Sequence, residues 1–353
     1  MLQYPLRFSL DNLRRKFNVP SCPFLINYSI TLRCNLGCKY CGVWSLDNNY
    51  AQEELGVLEV SRFLEDKMLR KLDVVVITGG EPFLKDDLVD IILEFKKKVK
   101  PTIFHITTNG FLTEEIVKAL SFLKAKGIKL DLKISIDDLG QKHDALRGKP
   151  GSFKNALNTI LKIRKMFSRK EVFIGLNQTI YEDNYRSIPE IKKLSRELDV
   201  TYLGFVGLKQ RALYSGGQEN DYGLTELSLL AKEFIKNELL SERLTGIGLG
   251  GFSETIEQIM IRHYTKGQVK LMQEKILQHR CMNLFSHFRL NPNGDILTCS
   301  YDIWPLGNIK SQSYSQIINQ SGTKDKLAKI KKCGKCWLGC ETTPSRVASL
   351  FLA

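Results

Sequence analysis

An open α/β barrel built on a parallel sheet is the fold this sequence predicts, and three observations predict it. Between residues 24 and 206, six apolar strand-like runs alternate with five helical patterns. The stretches directly after the strand-like runs are rich in Gly, Asn, Asp, Thr and Cys. Eight of the nine cysteines fall into two groups, at 34–41 and 281–340. A repeating βα unit implies parallel strands, because each crossover returns the chain to the same edge. In barrels of such units the chemistry gathers at the C-terminal ends of the strands.

At 353 residues the chain can bury one large α/β core and carry a smaller appendage. Its 43% hydrophobic and 25% charged residues are those of an ordinary globular protein. No apolar run approaches the length of a bilayer span and no signal peptide precedes the first strand, so the cytoplasm is the expected compartment. In that reducing compartment grouped cysteines read as metal ligands, not disulfides. A formal charge of +14 favours acidic partners: phosphorylated metabolites, anionic lipid, nucleic acid or an acidic peptide. No nucleic-acid-binding motif accompanies the charge, and Lys96-Lys97-Lys98 and Lys331-Lys332 read as solvated faces, which disfavours nucleic acid.

Taken in order, residues 1–23 open with Leu6, Leu10, Leu13 and Phe17 at helical spacing, with Arg7, Arg14, Arg15 and Lys16 between them. Such a helix either covers the end of a domain core or lies on an anionic membrane surface. Cys22 reads as a plain thiol. Strands are expected at 24–30, 72–78, 102–107, 130–136, 171–178 and 200–206, and helices near 53–70, 85–99, 113–126, 152–167 and 185–198. The first strand runs into Cys34-Asn35-Leu36-Gly37-Cys38-Lys39-Tyr40-Cys41. Three thiols so close can hold an iron–sulfur cluster, a zinc ion or disulfides. Zinc favours a closed set of four ligands, whereas a four-iron cube on three cysteines leaves one iron open.

The second strand ends in Thr78-Gly79-Gly80-Glu81-Pro82. Two glycines there allow close backbone approach to a ligand, and Glu81 can accept a hydrogen bond from an ammonium group; alternatively this is a tight strand-to-helix turn. The third ends in the turn Thr107-Thr108-Asn109-Gly110, and the fourth in Ser135-Ile136-Asp137, with Arg147 in the loop that follows. Asn177 stands near the end of the fifth, and the sixth is the apolar Leu203-Gly204-Phe205-Val206. Residues 220–280 read as helical, broken by Gly246-Ile247-Gly248-Leu249-Gly250-Gly251; with no strand before these glycines, a flexible connection or a cavity lining fits better than a dinucleotide-binding loop. Phe288 to Cys299 reads as a hairpin around Pro292-Asn293-Gly294-Asp295 that returns Cys299 toward Cys281, and a helix and the group Cys333, Cys336 and Cys340 follow. The five histidines lack metal-ligand spacing and are assigned structural or surface roles.

The spacing Cys34-x3-Cys38-x2-Cys41, with Tyr40 before the last cysteine, resembles the signature of the radical S-adenosylmethionine (SAM) enzymes, and Gly79-Gly80-Glu81-Pro82 resembles that family's GGEP element. Cys281-x12-Gly294-x4-Cys299 with a later cysteine group resembles its SPASM domain and the shorter twitch domain. The resemblance implies a partial (β/α)6 TIM barrel at 24–215, a helical bridge at 216–280 and a small cysteine-rich α+β domain at 281–353. It implies a [4Fe–4S] cluster on Cys34, Cys38 and Cys41 whose open iron chelates SAM. It places Tyr40, Gly79, Gly80, Glu81, Pro82, Thr108, Asn109, Ser135, Asp137 and Arg147 around SAM, with Glu81 on its ammonium, Ser135 and Asp137 on its ribose and Arg147 on its carboxylate. Asn177 is a further candidate for SAM or else makes a structural hydrogen bond, and the apolar sixth strand is either a wall for adenine or core packing. Many members carry Gly where Asp138 stands.

The full SPASM pattern has seven cysteines, and five are present, so one auxiliary [4Fe–4S] cluster is expected on four of Cys281, Cys299, Cys333, Cys336 and Cys340; a zinc site on these residues is the rival. Two such clusters would remove roughly three charges and leave the protein basic. The activity implied is reductive cleavage of SAM and hydrogen abstraction from a metabolite, peptide or lipid, a redox modification with electron exit through the auxiliary cluster and supply from a donor such as flavodoxin or ferredoxin. A redox-neutral C–C bond formation or epimerisation on a lipid or sugar phosphate is the alternative. A non-catalytic iron–sulfur carrier or sensor is the alternative of another class.

Overall fold

The computed structural model describes residues 3–43, 53–207, 226–240, 266–267, 269–270, 272, 281–299 and 305–333. Its centre is one nine-stranded sheet in the order β6-β5-β4-β3-β2-β1-β7-β8-β9. The first six strands are β1 (Leu25–Thr31), β2 (Val74–Gly79), β3 (Ile103–Thr108), β4 (Leu130–Ser135), β5 (Phe173–Ile180) and β6 (Thr201–Val206), and adjacent ones pair in parallel. Each is largely buried, and most are rich in the β-branched and aromatic residues that pack well on a pleated surface, β4 relying instead on Leu130, Leu132 and Ile134.

Helices return the chain between strands: α1 (Gln3–Lys16) before β1, α2 (Val57–Phe63) and α3 (Leu88–Lys98) around β2, then α4 (Thr113–Ala125), α5 (Gly140–Arg147), α6 (Ser152–Met166), α7 (Ile188–Glu197) and α8 (Leu229–Leu240). On the helix side of the sheet Ile26, Tyr28, Phe104, Ile106 and Leu132 join the core, with Phe104 edge-on to Phe95 of α3 at 6.4 Å. Alternation then turns the other face of each strand into the barrel. One register row there reads Arg289, Asn27, Val76, His105, Asp131, Phe173 across six strands. A packed barrel core would carry branched aliphatic residues in such a row; this one is mostly polar.

The C-terminal hairpin forms as expected, from β7 (His287–Leu290) and β8 (Asp295–Leu297), joined by β9 (Gly307–Asn308). Unanticipated is where it goes: β7 lies parallel to β1 and extends the barrel sheet. The helices α9 (Tyr314–Asn319) and α10 (Ser321–Lys331) follow, and Tyr314 packs on Phe288 at 4.6 Å and edge-on to Phe63 of α2 at 6.4 Å. Such aromatic pairs add about 0.5–1.5 kcal/mol each beyond their buried area. The hairpin is thereby locked to the barrel. Arg147 is the last residue of α5, not a loop residue, because Gly148 ends that helix at φ +66°. The glycine-rich stretch 246–251, and most of the bridge, lie outside the described residues.

Candidate functional site

A register irregularity between Ser29 and Thr31 bends β1 as it leaves the sheet and enters the cysteine loop. Two neighbouring turns grip that loop. On one side Gly80 N–H donates to Thr31 O at 2.8 Å and Glu81 N–H donates to Arg33 O at 2.8 Å. A Cβ on Gly79 would lie 2.1 Å from Thr31 O, and one on Gly80 2.1 Å from Arg33 O. The backbone these glycines admit is therefore the chain's own, at the root of the cysteine loop, where the sequence suggested a ligand. On the other side Lys39 N–H donates to Leu146 O at 2.8 Å and Lys149 Nζ donates to Asn35 O at 3.1 Å. Gly148 is needed there too, since a Cβ would sit 2.2 Å from Gly37 O.

Cys34, Cys38 and Cys41 are half-buried, reduced thiols. Asn109 Nδ2 stands 4.0 Å from Cys34 Sγ and Arg147 Nη1 3.8 Å from Cys38 Sγ. Burial, with Cys38, Glu81 and Cys41 as like-charged neighbours, pushes the Cys34 thiol up to about 11. Burial also raises Cys38, opposed by Arg147. Cys38 and Cys41 both act on Cys34, and Cys41 acts on Cys38, so the three sulfurs are near neighbours, and a cation beside them would favour their thiolate forms. Among the described residues no three His, Cys, Asp or Glu side chains converge closely enough to share a single metal ion; a four-iron cube binds each cysteine through a different iron, and so does not require that convergence.

Glu81 joins two turns. Its carboxylate accepts from Phe83 N (3.2 Å), Thr108 Oγ1 (2.8 Å) and Asn109 N (2.8 Å), and it is fully buried. These three donors leave about one lone pair for a ligand ammonium. Desolvation dominates, pushing Glu81 up to about 7 from 4.5. A folded-state pKa above the unfolded one favours the protonated native form, so the contribution is fullest below pH 4.5 and is lost as pH rises through about 7. The stability difference between the metal-free chain and its Glu81→Gln variant, from denaturant unfolding, should fall by about 3 kcal/mol over that window. A difference flat in pH would contradict the assignment.

Asp137 and Arg147 form an ion pair at 2.9 Å, and Asp137 Oδ1 also accepts from Thr179 N at 2.9 Å. The Asp137 carbonyl accepts from Gln178 Nε2 and Asn184 Nδ2 at 3.1 and 2.8 Å, and its N–H donates to His143 Nδ1 at 3.1 Å. Burial would favour neutral Arg147, but Asp137 and Cys38 together hold it charged. The two residues expected on ribose and carboxylate thus already meet each other and brace the Cys38 side of the loop. Asp138 Oδ1 accepts from the adjacent Leu139 N at 2.7 Å. His143, buried and lowered to about 3 by burial and by Arg147, is structural, as the sequence suggested.

Ser135 and Asn177 are register partners on β4 and β5, and the buried Asn177 Oδ1 has no hydrogen-bond partner, an acceptor facing the barrel. Tyr40 stacks on Tyr181 with centroids 3.7 Å apart and donates to Asp183 Oδ2 at 2.6 Å. Pro82 begins the short 3-10 turn after Glu81.

Several site residues escaped the sequence reading. Glu54 binds the base of the loop, accepting from Thr31 Oγ1 and pairing with Arg33 (3.4 Å) and Lys85 (3.6 Å). Lys149, Tyr181 and Asp183 hold its rim. Deeper in the barrel, His105 Nδ1 lies 3.1 Å from Asp131 Oδ2, both buried, and Arg289 Nη1 donates to Ser29 Oγ at 2.9 Å. The available signal was a polar residue at an inward strand position between aliphatic neighbours, as in Ile103-Phe104-His105-Ile106 and Leu130-Asp131-Leu132. In the second group Cys281, Cys299 and Cys333 are half-buried reduced thiols, while Cys336 and Cys340 lie outside the described residues.

Comparison with known proteins fits this arrangement. A model of the radical SAM superfamily matches residues 28–199, and one of the SPASM iron–sulfur cluster-binding domain matches residues 281–340. The pre-heme d1 synthase of Dinoroseobacter shibae is 30% identical over 207 residues, 58% of this chain and 49% of that protein, so the match spans about half of that relative. The Fe-coproporphyrin III synthase of Methanosarcina barkeri is 25% identical over 343 residues, 89% of this chain and 81% of that protein. Streptococcus suis SuiB, solved bound to S-adenosylmethionine, shares the fold with a TM-score of 0.60 at 14% identity, covering 90% of this chain and 70% of that one.

Proposed function

Because the chain belongs to the radical SAM superfamily and carries an SPASM domain, and so is an enzyme, we propose that it cleaves SAM reductively at Cys34, Cys38 and Cys41 and abstracts hydrogen from a carboxylate-bearing substrate of the porphyrin type. The observation that carries this reading is the cysteine loop itself: three neighbouring thiols clamped between Gly79–Glu81 and Leu146–Lys149, with Asn109 and Arg147 beside two of the sulfurs. An iron–sulfur cluster bound there supplies the electron that breaks the SAM sulfonium and releases a hydrogen-abstracting radical.

The chain's own residues do the positioning. Asn109 and Arg147 aim N–H groups at sulfur, which stabilises thiolate charge. Asp137 keeps Arg147 in place, so the SAM hydroxyls fall to Ser135 and Asn177, whose free oxygen faces the site. Tyr40, held by Tyr181 and Asp183, walls the mouth. Glu81, through Thr108 and Asn109, fixes the turn that Asn109 occupies. Cys281, Cys299 and two of Cys333, Cys336 and Cys340 would hold an auxiliary cluster able to accept an electron from an oxidised substrate, and a donor such as flavodoxin or ferredoxin would supply the reducing electron. The substrate class rests on two supports: the +14 charge, which attracts carboxylates, and the names of the two relatives above.

The test is anaerobic turnover with SAM, a reductant and an iron porphyrin bearing propionate side chains. The expected outcome is 5′-deoxyadenosine in step with a lighter, oxidised porphyrin. Product of unchanged mass would move the chain to a redox-neutral reaction, and 5′-deoxyadenosine indifferent to the porphyrin would remove that substrate class.

A further inference from the structure

Helix α1 is seated upside down for a surface helix. Asp11, Asn12 and Arg15 face the protein and are buried, whereas Leu10 and Leu13 on the helix are 47% and 50% exposed and Phe17 and Val19, just past its end, are 71% and 47% exposed. Its rotation is fixed by hydrogen bonds: Ser21 Oγ donates to Asp11, Arg15 donates to Cys281 O (3.0 Å) and Lys331 O (2.6 Å), and Arg7 donates to Lys71 O (2.9 Å) and Cys22 O (3.0 Å). Rolling the helix to bury Leu10 and Leu13 would break these bonds and leave buried polar groups unpaired, so these two residues are held outward. Arg14 and Lys16, both exposed, border this apolar stripe, and Lys331, whose Nζ donates to Lys16 O at 2.7 Å, adds a third cation.

We propose that this stripe with its basic border docks on an anionic lipid surface. An apolar centre flanked by lysine and arginine is the pattern that enters the interface between headgroups and acyl chains. A second copy of the chain is a poor occupant, because two bodies of charge +14 repel. No helix among the described residues is long and apolar enough to cross a membrane, so the contact is peripheral. Through Cys22 and Lys71, which precede β1 and β2, the helix sits at the N-terminal ends of those strands. The cysteine loop leaves the opposite end of β1, so docking leaves its mouth toward water and open to an electron donor.

The test is flotation of the full chain with phosphatidylcholine vesicles and with vesicles that also contain phosphatidylglycerol. Binding to the anionic vesicles should exceed binding to the neutral ones at least about tenfold and weaken with salt. The double variant Leu13→Glu/Phe17→Glu should lose at least about tenfold in binding. Because both positions are exposed, its thermal unfolding and iron content should match the parent, which separates lost docking from lost folding. Equal flotation of parent and variant would overturn the proposal. So would no flotation together with a concentration-dependent dimer that the same two substitutions dissolve.

Discussion

Replacing Cys38 with Ser should abolish SAM cleavage, with 5′-deoxyadenosine formation falling at least about a thousandfold, while roughly half of the reconstituted iron stays on the protein. Serine keeps the size and loses the soft thiolate, and two cysteines cannot hold a cube of iron and sulfide in place. The half that remains belongs to the second group, which lies on separate elements and keeps Cys281, Cys299 and Cys333. Cys38 is the informative position of the three because Arg147 also contacts it. A variant that kept all its iron would mean that the loop binds none.

Gly79→Ala should damage the same site without touching a sulfur. The residue sits at φ +132°, and a Cβ would meet the Thr31 carbonyl at 2.1 Å and its backbone N and carbonyl C at 3.2 Å. Backbone cannot step aside as a flexible side chain can. Overpacking of this kind costs about 1–3 kcal/mol and the strained φ a further 1–3 kcal/mol. The relief available is to push the root of the cysteine loop outward, breaking the Gly80–Thr31 and Glu81–Arg33 hydrogen bonds. The expected readout is a lower unfolding temperature together with selective loss of the SAM-cleaving cluster. Gly127→Ala is the control: it also has a positive φ, +69°, but nothing lies within 4 Å of the added methyl. Equal iron loss in both variants would show that strain alone, not the clash with the loop, decides the outcome.

Much of this was legible in the chain. The strands were readable because each is a dense run of Val, Ile, Leu and Phe between turn residues, and β2 and β4 fall within two residues of expectation. The loop at 34–41 was readable because its chemistry is local. What escaped depended on contacts distant in sequence. β7 joins β1 in parallel across some 260 residues, and nothing in His287-Phe288-Arg289-Leu290 distinguishes that edge from another. Arg147 was expected in a loop because α5 buries only His143 and has no apolar stripe to announce it. For α1 the apolar periodicity allows either a face on the domain core or a face on an anionic membrane surface, and arginine hydrogen bonds to carbonyls at the barrel base turn Leu10 and Leu13 outward. The role of Glu81 was readable only in part, since its partners Thr108 and Asn109 come from the next strand.

The most direct measurement is 5′-deoxyadenosine release from SAM by the anaerobically reconstituted full chain under a strong reductant, with no substrate added. Slow but steady release, tracking the cluster on Cys34, Cys38 and Cys41 and absent in Cys38→Ser, is the expected result. Intact SAM in the presence of a full complement of reduced clusters would contradict it and leave the protein as a carrier of electrons.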